Sequence, residues 1–150
     1  MPDEFLESLC WQARYPLWCR LLSGASSDGS YVLVAVDEDH DVTGFAAVGQ
    51  VRDQDLAMAD FFELYCLYLL PQYWGLGIGQ KVLRSALGAL PPDARGMSVW
   101  VLTENVRGRL FYERQAFTLD GSTRVEDIGG ASFEELRYRL SWLDGQSCER

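Results

Sequence analysis

The chain has 150 residues, 48% of them hydrophobic and 23% charged, with a formal net charge of −9. That size and balance fit a single globular domain over 1–150 with a substantial core, and the acidity argues against nucleic acid, whose phosphates need clustered Lys and Arg. No apolar run approaches the roughly 18 residues of a membrane span, so no membrane is expected as a partner; the acidic start Met1-Pro2-Asp3-Glu4 lacks a signal peptide's basic region and reads as cytoplasmic.

Taken in chain order, Glu4 to Ala13 and Pro16 to Leu22 read as two helical segments broken at Tyr15-Pro16, because a proline disfavours helix in the residue before it and suits the first turn of the next. Ser23 to Ser30 is Gly/Ser-rich and loop-like. Tyr31 to Val36 and Val42 to Val51 read as a hairpin around an acidic turn, and Arg52 to Asp60 as a polar loop. Phe61 to Leu70 is an apolar strand whose one acidic side chain is Glu63. Gly77 to Leu90 reads as a helix stopped by Pro91-Pro92, Met97 to Leu102 as a strand and Arg107 to Gln115 as a helix. Phe117 to Leu119 and Glu134 to Trp142 read as closing strands separated by a Gly-containing connection, with Asp144 to Arg150 a frayed tail. Helices, ββ, βαβα, ββ is the order of an α/β chain with a mixed sheet and helices on both faces.

Cys10, Cys19, Cys66 and Cys148 show no CxxC spacing, and the one histidine, His40, lies in the acidic turn. No metal site is expected from such a set, and the thiols are expected to be free.

Trp74-Gly75-Leu76-Gly77-Ile78-Gly79 joins a strand to a helix. Glycines let the backbone approach a phosphate, and the first amides of a helix are unpaired at the positive end of its dipole. The stretch reads either as an anion cradle for a phosphorylated cofactor or as a tight turn that binds nothing. A Walker A loop would need GxxxxGK followed by Ser or Thr, which is absent. A dinucleotide fingerprint would need GxGxxG and an acidic residue about 20 positions on, at the end of a second strand; the region here, Pro91-Pro92-Asp93, is loop-like.

A second element, Asn105-Val106-Arg107-Gly108-Arg109-Leu110-Phe111-Tyr112-Glu113-Arg114-Gln115-Ala116-Phe117, follows the next strand. Asn105 suits a helix N-cap. Tyr112 lies seven residues on, two turns later and on roughly the same face. The two elements, in this order and at this distance, resemble the GNAT superfamily of N-acetyltransferases over about Tyr31 to Trp142. The resemblance implies a central mixed β-sheet flanked by helices and acetyl transfer from acetyl-CoA to a primary amine of a small molecule or peptide. The attack would be direct, in a ternary complex, with acetyl-CoA as cosubstrate and no metal. It assigns Trp74, Gly75, Leu76, Gly77, Ile78, Gly79 and Gln80 to the cofactor's phosphates. The backbone of Leu67, Tyr68 and Leu69, in a strand that a bulge splays from its neighbour, would take the pantetheine and the thioester oxygen. Asn105 would hold pantetheine, Tyr112 would serve as acid for the departing thiolate, and Glu63 as base, directly or through water.

Three departures from the family pattern carry expectations of their own. The Gln or Arg that opens the glycine motif falls on Trp74, counting back from Gly77 and Gly79, while Gln72 starts an alternative register. The closing Gly-Phe reads Ala116-Phe117, which is tolerated unless position 116 needs a positive φ. The family's opening strand is missing, because the helical pattern begins almost at Met1. Either the gene model is truncated or the sheet edge is built differently, and an uncovered edge could pair with a second copy as a homodimer. Asp53, Asp55 and Asp60 are loop carboxylates available to a cationic acceptor, and Lys81, Arg84, Arg107, Arg109 and Arg114 gather on the two motif helices, where an anionic cofactor would want them. The alternative to an enzyme is a non-catalytic acyl-CoA-binding sensor or scaffold; Tyr112 favours the enzyme, since a sensor has no need of a thiolate acid.

Overall fold

The computed structural model describes residues 15, 16, 18, 19, 22, 23 and 28–142. The expected first helix, the missing opening strand and the frayed tail lie outside the described residues, as do Cys10 and Cys148. Of the second expected helix, Pro16, Trp18, Cys19 and Leu22 are helical, and so is Tyr15, where a break was expected.

Two largely apolar runs form the first hairpin, β1 (Tyr31–Val36) and β2 (Val42–Gln50), paired antiparallel. Its acidic turn folds on the Asp37 carboxylate, which accepts the amides of Asp39 and Asp41 at 2.9 and 3.0 Å. The chain continues through a short helix, α1 (Gln54–Ala57), to β3 (Phe61–Leu69). A 3-10 turn at Pro71–Tyr73 leads to α2 (Ile78–Gly88), β4 (Gly96–Leu102), α3 (Val106–Arg114), β5 (Thr118–Ile128) and β6 (Ala131–Ser141). The six strands lie in the order β1-β2-β3-β4-β6-β5, antiparallel throughout except for β3 beside β4.

One face of the sheet carries the main core. Ala46, Val48, Leu64, Met97, Val99, Val101 and Tyr138 pack there with Val82, Leu83 and Ala86 of α2 and with Tyr112 and Phe117. On the other face Leu56 of α1 packs with Val51 and Phe61, and Trp18 meets Phe45 edge-on at 5.0 Å between ring centroids. Helical residues thus cover both faces, as the element order implies.

Two connections differ from the sequence reading. The polar loop 52–60 contains α1, because Leu56 is drawn into the small core with Val51 and Phe61. The Gly-containing connection is mostly strand: β5 runs to Ile128 and turns back through Gly129-Gly130, both at positive φ (60° and 81°), the backbone a two-residue hairpin requires. The pattern was broken by an irregularity between Leu119 and Thr123, where the Asp120 carboxylate accepts the Ser122 amide.

The feature that positions a site is an opening in the sheet. β3 pairs with β4 only at Phe61–Gly96, Phe62–Met97 and Glu63–Ser98. Across the other edge of β3, Ala47 faces Cys66 while Val48 faces Leu64, so Tyr65 is an extra residue. Such a bulge bends its strand and adds twist. The bend takes β3 away from β4, and from Leu64 onward the gap-side edge of β3 has no partner strand among the described residues.

Candidate active site

The site lies at this opening. Leu67, Tyr68 and Leu69 stand on the unpaired length of β3, still held on their other side by Ala46, Phe45 and Gly44 of β2. Backbone groups that would otherwise join a ladder must find another partner, water or ligand.

Below the strand the chain turns through Trp74 to Gly79 into α2. Gly75 and Gly77 adopt φ of 75° and 78°, and a Cβ added at either would have nothing within 4 Å. The left-handed Gly77 starts the helix, and the first amide to donate to a backbone carbonyl is that of Lys81, to Gly77. Among the described residues the amides of Gly75 to Gln80 therefore have no backbone acceptor, and they stand at the positive end of α2. The Trp74 indole donates to the Leu69 carbonyl at 2.9 Å, and the Arg107 guanidinium sits 4.1 Å from its ring centroid. Neither contact was legible in the sequence; both join the glycine turn to its surroundings.

α3 forms the opposite wall. Its N-cap is Asn105, whose side-chain oxygen accepts the Gly108 amide at 3.0 Å. Two turns later Tyr112 is buried, 7% exposed, its ring edge-on to Phe117 at 5.5 Å. Burial pushes its phenol well above the ordinary range, and the neighbouring Cys66 and Tyr68 push it the same way. Both neighbours stand on the unpaired part of β3, so Tyr112 addresses the gap. Among the described residues no group hydrogen-bonds its hydroxyl.

Glu63 lies where the two strands part, opposite Ser98. Its carboxylate is engaged: it accepts the Arg52 amide at 3.0 Å and both the Nε and a terminal nitrogen of the Arg52 guanidinium. The Glu63 side chain is 1% exposed and that of Arg52 59% exposed, so the arginine covers the acid. Ser98 Oγ, beside it, is a buried polar atom with no partner among the described residues.

The loop carboxylates are also largely committed. Asp55 takes a two-pronged bond from Arg137 at 2.9 and 2.6 Å, which holds its carboxyl below the usual range. Asp120 takes the Nε of the same arginine at 2.6 Å, and Asp53 accepts the Trp100 indole at 2.9 Å. Of the expected cations, Arg109 turns away from the cradle to Tyr138 and the Thr103 carbonyl. Cys19 and Cys66 are free thiols, and no cluster of His, Cys, Asp and Glu suited to a metal occurs among the described residues. No helix among those residues is long and apolar enough to cross a membrane.

Comparison with known proteins bears on this geometry. A family model described as an acetyltransferase (GNAT) domain matches residues 28–119. The N-acetyltransferase YuaI of Bacillus subtilis, itself uncharacterised, is 33% identical over 146 residues, 96% of this chain and 77% of the relative. The probable N-acetyltransferase Rv2775 of Mycobacterium tuberculosis is 31% identical over 87 residues, 57% of this chain; the match spans about half of that relative (49%). Among solved structures, Arabidopsis thaliana NAA60 in complex with a bisubstrate analogue superposes with a TM-score of 0.72 over 94% of each chain at 15% identity, a likeness of fold. The chain belongs to the GNAT acetyltransferase family.

Proposed function

From that membership and the geometry of the cleft, we propose that the protein transfers an acetyl group from acetyl-CoA to a primary amine of a small-molecule or peptide acceptor, by direct attack in a ternary complex. The observation that carries this reading is the parting of β3 from β4 after Glu63–Ser98, with Tyr112 facing the gap. The residues fit the cosubstrate: open amides at Gly75 to Gln80 suit a diphosphate, and the unpaired strand edge at Leu67 to Leu69 suits the amides of pantetheine. Asn105 stands at the α3 end of the same cleft, its side-chain nitrogen left over after the capping bond.

In the reaction the amine nitrogen bonds to the thioester carbon and the carbon–sulfur bond breaks. The β3 edge offers preorganised amides to the carbonyl oxygen as charge develops, each worth about 3 kcal/mol where such donors have been removed from other oxyanion holes. Tyr112 is protonated at neutral pH. Its phenol is a weaker acid than an ordinary thiol, near pKa 8.5, so it stabilises the departing thiolate chiefly by donating a hydrogen bond, and full transfer of its proton is uphill. Glu63 takes the amine's proton, directly or through water held between its carboxylate and the unpartnered Ser98 hydroxyl; Arg52 must swing off for this to happen, and its exposure allows it.

The test is release of free CoA thiol from acetyl-CoA across a panel of primary amines. Amine-dependent release supports the enzyme. Tight acetyl-CoA binding with no release for any amine supports the sensor or scaffold, and absence of binding removes both. The outer edge of β1 is unpaired among the described residues, and a homodimer through it predicts a two-chain species in sedimentation at micromolar concentration; a monomer removes that assembly.

A further inference from the structure

The arginines of this acidic chain differ in what they contact. Among the described residues, Arg52, Arg124 and Arg137 each pair with carboxylates. Arg107 pairs with none; its contact is with the face of Trp74. It stands in the first turn of α3, where a positive charge opposes the helix dipole. A free cation placed against a dipole is a poor choice for stability alone. The indole beneath it is fixed in turn, because its N–H is bonded to the Leu69 carbonyl. Trp74 immediately precedes the open amides of Gly75 to Gln80, at the position where the family pattern has Gln or Arg.

We propose that Arg107, held over the Trp74 indole, is the cation that pairs with the diphosphate of the cosubstrate at the Gly75–Gln80 cradle, delivering from α3 the polar group that position 74 lacks. Trp74 is then a platform that positions the guanidinium, and the strand, the glycine turn and α3 are tied together through Leu69, Trp74 and Arg107. A guanidinium stacks on an aromatic face while its edge remains free for bidentate bonds to phosphate, which an ammonium cannot do. This inference rests on the acetyl-CoA reading above.

Calorimetric binding of CoA and of dephospho-CoA, which keeps the diphosphate but lacks the 3′-phosphate, tests it in the wild type, Arg107→Ala, Trp74→Leu and the double variant. Arg107→Ala should weaken both ligands equally, roughly tenfold, as expected for one charge-assisted contact at a partly exposed position. It should flatten the salt dependence of binding while leaving the melting temperature of the free protein unchanged or higher. Trp74→Leu should weaken both ligands, and the double variant should be no weaker than Arg107→Ala by more than about twofold, because the two residues act as one unit. Arg107→Lys, with the charge but not the planar group, should fall between. Affinity of Arg107→Ala within about twofold of wild type overturns the proposal. So does a loss confined to CoA, which would move the contact to the 3′-phosphate, and so do additive losses in the double variant. Failure of the wild type to bind CoA at all would instead remove the acetyl-CoA reading on which the inference stands.

Discussion

Ala116→Gly should stabilise the protein. The end of α3 is a Schellman motif: the Phe117 amide donates to the Tyr112 carbonyl at 3.0 Å and the Ala116 amide to the Glu113 carbonyl at 3.1 Å, with the Tyr112 and Phe117 rings in contact. The motif needs a left-handed residue at position 116, and Ala116 supplies it at φ 66°. An alanine pays about 1–2 kcal/mol for that conformation. Glycine pays nothing there, but its unfolded chain is freer by about 0.5–1 kcal/mol. The Ala116 side chain is exposed, so deleting its methyl forfeits no packing. At the middle of these ranges the net gain is about 0.75 kcal/mol, or roughly 1.5–3 °C in melting temperature for a chain of this size. Thermal melts by circular dichroism, checked by urea midpoints, measure it. A melting temperature that stays put or falls would show that the left-handed strain is relieved in some other way and would refute the argument. Turnover should survive, since the cap bonds that hold Phe117 against Tyr112 are backbone bonds.

Two further predictions concern the cleft. Tyr112→Phe keeps the ring against Phe117 and removes the donor; turnover should fall roughly ten- to a thousand-fold with little change in acetyl-CoA affinity, and turnover within twofold of wild type, with chemistry limiting, would reject the role. Because burial raises the Tyr112 phenol, its loss of a proton belongs above the ordinary phenol's pH of about 10; a basic limb in the pH–rate profile below that value which vanishes in Tyr112→Phe would contradict the burial. Gly77→Val should abolish measurable CoA binding while the protein still folds, at a cost of about 1–2 kcal/mol for a positive φ, since its Cβ meets no protein atom within 4 Å; unchanged affinity in the folded variant would remove the cradle. Position 79 is a less clean test, because a Cβ there meets Phe111 at 3.3 Å, next to Tyr112.

What was legible in the sequence was whatever depends on local pattern. The β1–β2 hairpin, β3, α2, β4 and α3 lie within a few residues of their expected bounds because apolar runs, prolines and the Asn105 cap speak for themselves. β5 was truncated at Leu119 because Asp120-Gly121-Ser122 interrupts the alternation, and the Gly129-Gly130 turn that closes the hairpin lay beyond the interruption. The bulge at Tyr65 has no signature of its own: it is a matter of register between β2 and β3, and register is decided by both strands together. Arg52 on Glu63 and Arg107 on Trp74 bring together residues 11 and 33 positions apart, at spacings that no helical or strand period marks.

Two of the three loop carboxylates open to a cationic acceptor, Asp53 and Asp55, have partners within the protein. A net charge of −9 invites the idea of an acidic cleft that draws a cation, and Asp53, Asp55 and Asp60 appeared available for it. Yet Asp55 and Asp120 share Arg137, itself buried, and Asp53 is spent on the Trp100 indole. Arg124 and Arg137 flank the same indole at 4.4 and 5.6 Å. These bonds run from the loop around α1 to the central strand and on to β5 and β6. Their effect is mechanical: they fix one wall of the opening to the other elements of the sheet. Removing Arg137 would leave Asp120, almost wholly buried at 3% side-chain exposure, without its cation, a loss of the kind that costs about 3–5 kcal/mol. Asp53, Asp55 and Asp120 therefore brace this wall of the opening. Among the described residues, Glu63 beneath Arg52 is a buried acid at the opening whose partner is itself exposed enough to give way.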